Sequence, residues 1–144
     1  LTWSLGSWYQ GRPALQVPRA RLVTGGLLLV ATGIVITASV LASAMPPFMA
    51  AIGWLVAGLG MGVGITSLSV LVLELSPIEE QGANAAALQV SDALGSILFI
   101  GAAGAIFAGL HTPGQDNAGV FLLIFALMTV VALAGAVVAP RVRA

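Results

Sequence analysis

Polar and apolar positions alternate along this chain on the scale of whole helices and not of single turns. Apolar stretches run from Leu22 to Ala44, Phe48 to Leu73, Gly82 to Leu110 and Ala118 to Ala139, separated by short segments rich in Pro, Gly or charge. No ionisable side chain occurs between Leu22 and Leu73, and none between Ala118 and Ala139. Runs of this length match the roughly 20 apolar residues needed to cross a hydrocarbon core of about 30 Å. The pattern predicts four complete transmembrane helices over residues 22–44, 48–73, 82–110 and 118–139. Residues 1–11 read as the end of a further helix, so a fragment of a longer chain is expected. Pro13 and Pro18 predict a loop over residues 12–21, and turns are expected at Met45-Pro46-Pro47 and at residues 111–117. The expected fold class is all-α integral membrane, with four complete transmembrane helices plus the end of a fifth.

Composition strengthens that reading. With 59% hydrophobic and 7% charged residues and a mean hydropathy of +1.08, 144 residues cannot coat a soluble domain in polar surface. The formal net charge is zero, so no basic patch argues for nucleic acid. The absence of Cys removes disulfides and thiolate metal sites, and a single histidine, His111, cannot form a metal cluster. An integral-membrane enzyme would need clustered His, Asp, Arg or Lys at the membrane boundary, and this chain has no Lys. No catalytic residue, metal or cofactor is expected. The string GLGMGVG has the wrong register for a dinucleotide loop, because after Gly60 and Gly62 the position that needs a third glycine is Ile65, and no strand precedes it.

The charges that remain are placed unevenly. Arg12, Arg19, Arg21, Arg141 and Arg143 all fall on one side of a four-span layout, while the turns at 44–47 and 111–117 carry no Lys or Arg. The positive-inside rule makes the Arg side cytoplasmic, with these residues as anchors and Trp3, Trp8 and Tyr9 at the headgroup boundary.

Candidate packing and polar positions follow from helical spacing. Gly58 with Gly62, and Gly60 with Gly64, are spaced i, i+4, which predicts a bare helix face for close approach of a neighbour, with the string also allowing the helix to bend. Ala83, Ala87, Ser91 and Gly95 form a second small-residue seam. Ser76-Pro77-Ile78-Glu79 reads as a capping box with its proline, so Ser76 and Glu79 are expected as helix caps. Gln89, Asp92 and Ser96 lie within about 60° of one another, nearly opposite that seam.

These residues resemble the major facilitator superfamily of secondary transporters, in the later part of its C-terminal half. Leu5-Gly6-Ser7-Trp8-Tyr9-Gln10-Gly11-Arg12 with Arg19 and Arg21 is similar to the cytoplasmic connection between that family's eighth and ninth helices. The Gly-rich second span resembles its tenth helix, Ser76 to Ser96 its loop into the eleventh, and residues 118–143 its twelfth. Gln10 and Gly11 stand where the family's signature loop has an acid and an arginine. The resemblance implies a partial C-terminal bundle of an alternating-access carrier, and the Ala- and Gly-rich style leans toward a proton-coupled drug or metabolite exporter, an antiporter of the cell membrane. Expected partners are the lipid bilayer, the missing N-terminal half of the same transporter, a small-molecule substrate and protons. The alternative is a self-contained four-helix membrane protein, either a small oligomeric exporter or a structural subunit.

Asp92 lies about 15 Å along a helix from Gly82, near the bilayer midplane if the membrane begins there. A carboxylate at that depth costs about 2.5–3.5 kcal/mol and should face protein or water. Two readings stand: a proton-accepting or substrate-contacting group assisted by Gln89 and Ser96, and a structural ion pair or hydrogen bond between halves.

Overall fold

A computed structural model describes residues 2–11, 17–42 and 45–141 of the chain. Among the described residues there is no strand, and five α-helices follow in order: α1 (Thr2–Gln10), α2 (Arg19–Ala42), α3 (Phe48–Leu75), α4 (Gln81–Leu110) and α5 (Ala118–Val138). Short 3-10 turns, Ile78–Glu80 and Ala139–Arg141, precede α4 and follow α5. Four of the helices are long and apolar enough to cross a membrane. Even the shortest of them, α5 at 21 residues, is about 32 Å long, enough for the hydrocarbon thickness of about 30 Å. The chain is an all-helical, multi-pass integral membrane protein.

Helix α2 begins at Arg19, inside the expected loop. The Pro18 carbonyl accepts hydrogen bonds from the Arg21 and Leu22 amides, so this proline starts the helix instead of breaking it. Residues 12–16, and with them Arg12, lie outside the described residues, as do Arg143 and the last two positions of the first expected span.

The most extensive contact is between α2 and α3; α1 rests on α3, α5 rests on α2, and α4 meets α3 and α5 only sparsely. Backbone approach sets the α2–α3 distance. A Cβ added at Gly26 would stand 2.7 Å from the Gly60 carbonyl oxygen and from the Gly64 Cα, and one at Gly33 would stand 2.5 Å from the Gly53 carbonyl. On the other flank of α3, Gly62 lies under the Trp3 carbonyl and Gly58 under the Thr2 hydroxyl. The Gly58–Gly64 string therefore serves two neighbours and not one face. Residues two apart are about 200° apart on a helix, so Gly60 and Gly64 meet α2 while Gly58 and Gly62 meet α1. Polar groups reinforce the α1–α3 contact, where the Ser7 hydroxyl lies 3.0 Å from that of Thr66 and 3.3 Å from the Gly62 carbonyl.

Two sequence expectations are corrected. No side-chain cap forms at Ser76 or Glu79. The Ser76 hydroxyl turns back to donate to the Val72 carbonyl at 2.6 Å, and Gln81 Nε2 donates to the Leu73 carbonyl at 3.1 Å. Carbonyls in the last turn of a helix lack the full set of intrahelical partners, and these side chains donate to two of them, the Leu73 carbonyl also accepting from the Ser76 amide. Glu79 is left exposed in the 3-10 turn. The seam Ala83, Ala87, Ser91, Gly95 also meets no neighbour among the described residues: the first three are exposed, and a Cβ at Gly95 would meet nothing within 4 Å. The half-buried side of α4 carries Asn84, Ala85, Leu88, Ile106 and Phe107 instead.

Candidate functional site

Chemistry in this chain concentrates at two places, the Arg-bearing end of the bundle and the polar positions of α4. At the first, the N-terminus of α2 lies beside the C-termini of α1 and α3. Arg19 at the positive end of the α2 dipole, and Glu74 at the negative end of α3, are each unfavourable alone. The antiparallel arrangement sets them together, with Arg19 Nε 3.7 Å from Glu74 Oε1. The same guanidinium donates to Gln10 Oε1 at 2.6 Å and to the Gln10 carbonyl at 3.4 Å. Gln10 is buried, whereas Glu74 remains half exposed, so the hydrogen bond to Gln10 is the more shielded part of the cluster.

This tie joins the ends of three helices. Sequence reasoning treated Arg19 as an anchor and Glu74 as part of a polar stretch, and it noted Gln10 only for the acid it replaces. The signal available was their reversed dipole placement: a basic residue opening one helix and an acidic one closing its antiparallel neighbour. Asn84 Nδ2 donates to the Ser76 hydroxyl at 2.9 Å, linking the start of α4 to the end of α3. Arg21 is exposed two residues further along α2, and Arg141 sits in the turn after α5, which lies against α2.

Gln89, Asp92 and Ser96 sit on α4 within two turns, all exposed. None of their side chains makes a hydrogen bond or ion pair among the described residues, so those residues supply no partner for Asp92. Helix α4 has no buried residue, unlike α2, α3 and α5. Its far end is held by aromatics: the rings of Phe107 and His111 stack with centroids 4.8 Å apart, and Phe107 meets Phe121 of α5 at 5.4 Å. His111 thus has a structural contact, and no group of His, Cys, Asp or Glu able to hold a metal ion occurs among the described residues.

No family model and no solved structure matches the sequence. Among curated proteins, the chain is similar to the probable plastidic glucose transporter 3 of Arabidopsis thaliana, with 31% identity over 126 residues. The match covers 88% of this chain but 23% of that protein, so the chain spans about a quarter of the length of the curated relative it matches.

Proposed function

We propose that this chain is the C-terminal part of a secondary transporter of the major facilitator superfamily, a carrier and not an enzyme, working by alternating access. The observation that carries this reading is the similarity to a named glucose transporter along 88% of the chain. The four membrane-length helices support it, and so does the state of α4, which is fully formed yet unburied. A helix that carries Gln89, Asp92 and Ser96 without partners fits one wall of a path whose opposite wall lies on other helices, here assigned to an N-terminal half. Asp92 is then the proton-accepting or substrate-contacting carboxylate at mid-membrane depth, with Gln89 and Ser96 beside it. The Gln10–Arg19–Glu74 tie holds one end of α1, α2 and α3 together as a unit while α4 stays free to contact the opposing half. The Arg-bearing end faces the cytoplasm of a cell membrane by the positive-inside rule.

Two substrate readings have different support. The composition and the loop style favour proton-coupled efflux of drugs or metabolites, whereas the relative's name favours a sugar. Transport of labelled glucose and of lipophilic dyes by the longer protein, reconstituted in vesicles with and without a pH gradient, separates them. In either case Asp92→Asn is expected to abolish proton-coupled movement of solute. Normal transport with unchanged pH dependence in that variant would overturn the role given to Asp92.

A further inference from the structure

Helices α1 and α2 both rest on α3 and leave a groove of about 550 Å³ between them. Its floor is Leu59 and Val63 of α3, and its mouth is formed by Trp8, Tyr9 and Arg21 at the Arg-bearing end. From Arg21 to Leu29, at the level of Leu59, the groove runs about 12 Å into the apolar part of the bundle, at 1.5 Å per residue.

Two observations give the groove a chemistry. The first is charge: Arg19 is occupied by Gln10 and Glu74, whereas the exposed Arg21, two residues on and so on nearly the opposite side of α2, makes no ion pair among the described residues. The second is space at Gly25. Its neighbour Gly26 is required by the α2–α3 contact, but a Cβ at Gly25 would meet nothing within 4 Å, so helix contact does not demand a glycine there. What the missing side chain leaves open is the groove.

We infer that this groove holds one acyl chain of an anionic glycerophospholipid, with its phosphate at Arg21 and the Trp8 and Tyr9 rings at headgroup level. The apolar floor suits a hydrocarbon chain and offers nothing to a polar solute. The cation at the mouth selects for a negative headgroup, and amphipathic aromatics belong at that depth. The site is separate from the polar positions of α4 and does not depend on the transport reading.

The test uses the 144-residue chain in phosphatidylcholine vesicles, with Trp3→Phe and Trp54→Phe so that Trp8 alone reports. Its fluorescence is quenched by acyl-brominated phosphatidylglycerol or, at equal mole fraction, by phosphatidylcholine with the same brominated chain. The expected result is an apparent affinity about fivefold higher for phosphatidylglycerol, the worth of a single arginine near an anionic surface. Arg21→Gln removes that preference. Gly25→Leu, which has room to fold, fills the groove and also removes it, while Arg141→Gln leaves it intact. Equal quenching by the two lipids in the unmodified background overturns the site, as does a preference that survives Arg21→Gln and Gly25→Leu. Absence of quenching by either lipid also overturns it, because no acyl chain then reaches Trp8.

Discussion

Two adjacent glycines of α2 give the sharpest test of how this bundle is held together. Gly25→Ala and Gly26→Ala place the same methyl group one residue apart in the same helix, and each gains about 0.5–1 kcal/mol from reduced backbone freedom. They differ in what the methyl meets. At Gly25 it meets nothing within 4 Å; at Gly26 it stands 2.7 Å from the Gly60 carbonyl oxygen and from the backbone N and Cα of Gly64. All three atoms are backbone, so no side chain can swing away. Restoring ordinary separation requires the helices to part by roughly 0.7–1 Å, a gap that forfeits about a quarter to a half of the dispersion well for the atoms along it. Overpacking of this kind costs about 1–3 kcal/mol. The expected outcome is that Gly25→Ala is neutral or stabilising by up to about 1 kcal/mol, while Gly26→Ala falls below it by about 1–3 kcal/mol. Unfolding by SDS titration in mixed micelles, followed by tryptophan fluorescence and far-ultraviolet circular dichroism, reads the difference directly. If Gly26→Ala proves as stable as Gly25→Ala, close backbone approach is not what sets the α2–α3 distance.

The same assay ranks the tie at the Arg-bearing end: Gln10→Ala should cost about 1.5–3 kcal/mol, because a buried bond to a charged donor is lost, whereas Glu74→Gln should cost about 1 kcal/mol or less, since the pair is partly exposed. Ser67 is fully buried and its hydroxyl has no hydrogen-bond partner among the described residues. Ser67→Ala should therefore stabilise by about 1 kcal/mol, while Ser76→Ala, which frees the Val72 carbonyl, should destabilise by a similar amount. Gly95→Leu should leave the folding of this chain unchanged, because nothing lies within 4 Å of the added Cβ.

Much of the fold was legible because the membrane imposes a strong rule on backbone polar groups: a stretch of apolar residues long enough to span must be a helix. The helices and their turns follow from Pro46, Pro47 and the polar segment around Gly114 without any knowledge of contacts. The missed details are those in which a residue has two possible partners. Ser76 followed by Pro77 and Glu79 has the pattern of a cap for the following helix, yet the unsatisfied carbonyls of the preceding helix took its hydroxyl. Pro18 has the pattern of a helix breaker, yet with a helix only after it, it served as a start.

Spacing along one helix identifies faces but not the neighbours that meet them. The pairs Gly58–Gly62 and Gly60–Gly64 were readable as small-residue stripes, while their division between α1 and α2 depended on where those helices lie. Ala83, Ala87, Ser91 and Gly95 form an equally regular stripe, and it meets no neighbour among the described residues. Local order along the chain thus determined the helices, their number and their membrane character, because those depend on the solubility and hydrogen bonding of consecutive residues. Only the tertiary structure decided that Arg19 reaches both Gln10 and Glu74, that α4 stands unburied with Asp92 unpaired among the described residues, and that Gly25 opens a groove while Gly26 closes a contact. Each of these depends on surfaces far apart in sequence, whose meeting is set by the shape of the whole bundle.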